Sequence, residues 1–76
     1  MKTEDFTFKE NDVVSLEYEV HPSNKIIKAK KVKIINIQQT YMRPNNIPYF
    51  NFTTQSKLGK IQYWDTLNII SIKKEN

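Results

Sequence analysis

Four lysines stand within six residues of one another: Lys28, Lys30, Lys31 and Lys33. Ammonium groups at that density can neutralise successive phosphates of a nucleic-acid backbone. Arg43 and Lys60 add cations elsewhere in the chain, and Tyr41, Tyr49 and Trp64 supply rings near them in sequence. Base stacking on such rings contributes about 1–3 kcal/mol per base. These nine residues are the candidate nucleic-acid-binding set. The alternative is a solvated strand face. If the preceding strand pairs antiparallel with this one, Glu17 and Glu19 lie near Lys30 to Lys33 and partly neutralise them. Each cross-strand pair would then contribute about 0.2–1 kcal/mol. Lysine on a strand also guards against edge-to-edge association.

Eleven of the twelve cations are lysine and one is arginine. Base edges are read best by the planar arginine fork, whereas lysine acts as a point charge. Any nucleic-acid contact is therefore expected to be mostly a sequence-independent one to the backbone, with DNA and RNA both open. An A·T-rich genome explains the same richness in Lys, Asn and Ile without any function.

Catalytic and metal chemistry finds little here. His21 is the single histidine and precedes Pro22 in a turn. It lacks the companions a metal site needs and the orienting carboxylate a general base needs. Glu17 and Glu19 share a strand face about 7 Å apart, a spacing open to a metal but commoner for solvated carboxylates. There is no cysteine, hence no thiolate ligand, nucleophile or disulfide, and a reducing cytoplasmic setting is expected. One glycine cannot build a phosphate-cradling loop. We expect no enzyme, no cofactor and no metal.

The elements that position these residues are strands. With 76 residues and 38% hydrophobic content, the chain suits one small core. Val14, Leu16, Tyr18 and Val20 alternate with Ser15, Glu17 and Glu19, which is the period of a half-buried strand. His21-Pro22-Ser23-Asn24 turns the chain. Lys25 to Ile37 is one long β-rich run. Its alternation slips at Ile35, which predicts a bulge or sharp bend. Tyr41 to Pro48 reads as a loop, Tyr49 to Thr54 as a strand, and Gln55 to Gly59 as a turn. Lys60 to Trp64 follows as a strand. Alternation puts Trp64 either outward, as a platform, or inward, capping the core. Asp65-Thr66-Leu67-Asn68 suits one 3₁₀ turn, and Ile69 to Ile72 a last strand. Residues 1–10 and 73–76 read as a loosely held arm and tail around a domain over 11–72. The opening Met1–Phe6 is acidic with no apolar run, so no signal peptide is expected. No stretch approaches the length of a membrane span.

The order of these elements, from Asn11-Asp12-Val13-Val14 through the bent Lys31–Ile37 strand to Ile69-Ile70-Ser71-Ile72, resembles the Src-homology-3-like small barrel. The resemblance is one of layout. It implies an all-β, five-stranded barrel and no particular function. An oligonucleotide-binding five-strand barrel is the alternative, although it carries a helix between its third and fourth strands.

Charge divides along the chain. Residues 1–24 have a net −4 and residues 25–76 a net +8, giving +4 in all. That asymmetry points to an anionic partner. The expected function is a small non-catalytic module binding nucleic acid. The alternatives are a protein-interaction or accessory factor, of phage or mobile-element type, using the aromatic loop or a strand edge, and, third, a small nuclease. A dimer through a strand edge is open.

Overall fold

The computed structural model describes residues 5–76. It is all-β, with five antiparallel strands: β1 (Val13–Val20), β2 (Lys25–Met42), β3 (Ile47–Gln55), β4 (Ile61–Asp65) and β5 (Ile69–Lys74). Their order in the sheet is β4-β3-β2-β1-β5. No ladder joins β4 to β5, so the sheet is open and the expected barrel closure is not made by backbone pairing.

Curvature replaces closure. An unbent strand of 18 residues would run about 60 Å, yet the molecule's longest extent is 38 Å. β2 bends at two bulges. Opposite Val14 and Leu16 it spends three residue steps instead of two, which expels Lys30 and Lys31 together. Between Ile34 and Asn36 it carries the extra residue Ile35. This second bulge is the slip expected at Ile35. It turns Ile34 and Ile37 to the same side and leaves Ile35 exposed. β5 has its own irregularity, at Ile70, which buries Ile69 and exposes Ile70.

The core lies in the concave face. Val14 and Leu16 of β1, Ala29, Val32 and Ile34 of β2, Phe52 of β3, Trp64 of β4 and Ile69 of β5 fill it. Phe6 joins them at 8% exposure. Its ring lies 5.0 Å from Phe50 and 5.3 Å from Phe52, with Phe8 edge-on at 5.4 Å. Part of the arm expected to be loose is thus built into the core, because burying a Phe side chain stabilises by roughly 1.5–3 kcal/mol. Residues 1–4 of that arm lie outside the described residues. At the other end, β5 runs through Lys73 and Lys74, and the Glu75 amide donates to the Val13 carbonyl at 2.7 Å. The expected tail therefore continues the sheet.

Two further expectations change. Tyr41, Met42, Ile47 and Pro48 are paired across β2 and β3, so the expected eight-residue loop is a turn over 43–46. Asn46 supplies its left-handed residue, with φ 52°. At 65–68 there is no 3₁₀ turn. The Asp65 carboxylate takes the place of a backbone acceptor, receiving the Asn68 amide at 3.1 Å.

Candidate nucleic-acid interface

The β2 bulge builds the basic cluster. Lys31 has φ 51°, in the left-handed region. A β-carbon there costs about 1–2 kcal/mol. Among the described residues the other three non-glycine residues with positive φ are all asparagine, a type that tolerates it well. Lys31 is the exception. Its amide is held by the Ser15 hydroxyl at 3.0 Å, and that hydroxyl donates to Glu75 Oε2 at 2.7 Å. The bulge is therefore pinned from β1.

Lysines gather on the β3 side of this bulge. Lys31, Lys33 and Lys57 border one concave surface, together with Gln55 and Glu75. Lys30 and Leu58 border an adjoining one with Lys31 and Lys57. Lys60 is exposed in the same β3–β4 connection, where its amide bonds to the Ser56 hydroxyl at 3.0 Å. Gly59, with φ 89°, lets this connection turn tightly. Lys57 is a member that the sequence reading missed. Only a turn that folds over β2 brings it near residues so distant in sequence.

The expected neutralisation falls elsewhere. β1 does pair antiparallel with β2, but in this register Glu17 faces Lys28 and Glu19 faces Ile26. Glu17 Oε2 lies 3.4 Å from Lys28 Nζ, and Glu19 lies 3.3 Å from His21. Asp12 meets Lys74 at 3.6 Å and Glu75 meets Lys73 at 3.9 Å. Among the described residues Lys30, Lys31, Lys33, Lys57 and Lys60 have no ion pair. Glu19, Glu17 and Asp12 instead pair with His21, Lys28 and Lys74. The β1–β5 side is thus mixed in charge and the β3–β4 side is basic.

The remaining expected members separate. Arg43 follows the end of β2, ten residues beyond Lys33, and with Tyr41 borders a different surface. Tyr41 is 57% exposed there, and Tyr49 is half-buried opposite Thr40. Trp64 is 5% exposed, and its Nε1 donates to the Thr54 hydroxyl at 2.8 Å. It caps the core and has no free face for stacking. With Trp64 inward, Tyr63 points outward and is 80% exposed. The exposed ring of β4 is therefore Tyr63.

One half-buried polar group borders this side. The Tyr18 hydroxyl donates to Asp65 Oδ2 at 2.8 Å and receives Asn68 Nδ2 at 3.5 Å. Burial raises the Tyr18 pKa above its ordinary 10.0. The Asn68 contact opposes this, and the Asp65 carboxylate adds to it. No group of three or more metal-ligating side chains occurs among the described residues. No helix there is long and apolar enough to cross a membrane. Comparison with known proteins gives no family model, no curated protein and no solved structure that matches the chain.

Proposed function

We propose that this protein is a small non-catalytic module that binds nucleic acid through the basic cluster at the β2 bulge. The observation that carries this reading is Lys31. A lysine occupies a backbone position where glycine or asparagine costs less, and it stands unpaired beside Lys30, Lys33 and Lys57. Strained residues of this kind cluster at functional sites. The strand order and the long bent β2 support the Src-homology-3-like layout, which hosts many binding modules. The cysteine-free sequence supports a cytoplasmic setting.

Fluorescence anisotropy with labelled oligonucleotides at two salt concentrations tests the proposal. Binding should weaken linearly in log K with log salt, by about 0.7–0.9 per phosphate neutralised. Lys30→Glu with Lys33→Glu should abolish it. Unchanged binding in that double variant would sink the reading.

A second reading rests on the free edge of β4, which carries exposed Ile61 and Tyr63. A protein partner adding a strand there would use its backbone groups. A nuclease-resistant stoichiometric partner, lost in Tyr63→Pro, would favour this reading.

A further inference from the structure

The outer face of β2, β3 and β4 is continuous in register with the basic cluster. Lys33, Gln55 and Ile61 form one cross-strand row. The next row is Asn36, Thr53 and Tyr63, and the one after is Gln38, Asn51 and Asp65. The last two rows border one hollow, which also reaches Tyr18, Phe52 and Trp64 of the core side. The exposed amides of Asn36 and Gln38, the Thr53 hydroxyl and one exposed ring thus stand together beside the lysines, while the Asn51 amide donates to Thr40 Oγ1 at 3.1 Å. Asp65 is the single acid of these rows, and its oxygens are engaged by Tyr18 and Asn68.

A duplex presents phosphates and, in its grooves, base edges, but keeps its ring faces stacked inside, so it could use the lysines and amides but not the Tyr63 ring. A single strand exposes ring faces and base edges as well. Aromatic rings on a sheet surface stack unpaired bases, and amides bond to their edges. Resting on the nucleic-acid reading above, we infer that the occupant of this face is single-stranded nucleic acid. Its backbone is anchored at Lys30, Lys31, Lys33 and Lys57, one base stacks on Tyr63, and the exposed Asn36 and Gln38 meet base edges. Charge complementarity sets the anchored end: the cations are unpaired there, whereas the β1–β5 side is mixed.

Anisotropy with a pyrimidine 12-mer as DNA, as RNA and as a duplex tests this. The single strands should bind at least tenfold tighter than the duplex at equal salt. Tyr63→Ala should weaken single-strand binding about tenfold, equivalent to about 1.4 kcal/mol, with the salt slope and duplex binding unchanged. Tyr63→Phe should bind as the wild type does. Tyr63 is exposed, so unfolding midpoints should match across these variants. A tighter RNA arm would assign contacts to the 2′-hydroxyl, and equal arms would assign them to bases and phosphates. Duplex binding equal to single-strand binding, with Tyr63→Ala silent, overturns this inference and leaves the lysine reading standing. No binding of any oligonucleotide at low salt overturns both.

Discussion

Tyr18 joins the two halves of the curved sheet. Its ring meets Trp64 edge-on at 5.1 Å, and its hydroxyl reaches Asp65 at the end of β4. The hydroxyl bonds best as the neutral form, and burial holds it there. Because the folded pKa is raised, the unfolded chain loses this proton first as pH rises. The contribution is complete below the unfolded pKa near 10 and is lost as pH rises through the folded value. Urea unfolding should therefore show stability falling above pH 10, and Tyr18→Phe should make that fall shallower. At pH 7 the same variant should lose about 1 kcal/mol, from one hydrogen bond. An identical alkaline slope in both proteins would contradict the assignment. Trp64 and Thr54 show the same economy of polar groups: indole and hydroxyl satisfy each other inside the core, at 2.8 Å.

The β2 bulge is where local cost and surface chemistry meet. Replacing Lys31 by glycine removes a strain of about 1–2 kcal/mol and adds about 0.5–1 kcal/mol of unfolded-state entropy. Lys31→Gly should thus raise stability by up to about 1.5 kcal/mol, read as a higher urea midpoint. It should also weaken oligonucleotide binding and reduce the salt slope by about 0.7–0.9. A gain in stability with no loss of binding would mean that this lysine serves no ligand. The second bulge, at Ile35, has a different task. It resets the alternation so that Ile34 and Ile37 both reach the core, and so sends Asn36 and Gln38 to the outer face.

Taken whole, the molecule is a curved sheet whose concave face is sealed at one end by its own N-terminal arm. Phe6 packs on Phe50 and Phe52, and the Asn11 amide bonds to the Ile34 carbonyl at 2.7 Å. Phe6→Ala should cost about 3 kcal/mol, as for other buried aromatics. In a domain of this size that is a large share of the total. An unfolding midpoint within error of the wild type would show that the arm does not support the core. The opposite charges of the first 24 residues and the rest also resolve at this level. Glu17, Glu19 and Asp12 pair with Lys28, His21 and Lys74 on one flank, and the lysines of the other have no acid partner among the described residues.

Period-two alternation along β1, the run of β-branched residues in β2 and the turn chemistry at 21–24 and 56–59 are properties of neighbouring residues. They were therefore legible in the chain, and with them the all-β class, the five strands and the lysine run. Even the bulge at Ile35 follows from a local slip in pattern. What a short segment cannot encode is register and phase. Alternation allows Trp64 inward or outward with equal logic, and only core volume and the hydroxyl of Thr54 select inward, leaving Tyr63 as the exposed ring. The partner of Glu17 depends on where β2 bulges, which moves it to Lys28 and frees Lys30, Lys31 and Lys33. Arg43 and Tyr41 are close to the lysines in sequence, but an extended strand carries them away. Lys57 is far in sequence, but a turn returns it. Residue types and local periods follow from the sequence, while proximity is a non-local property that exists only once the strands have paired.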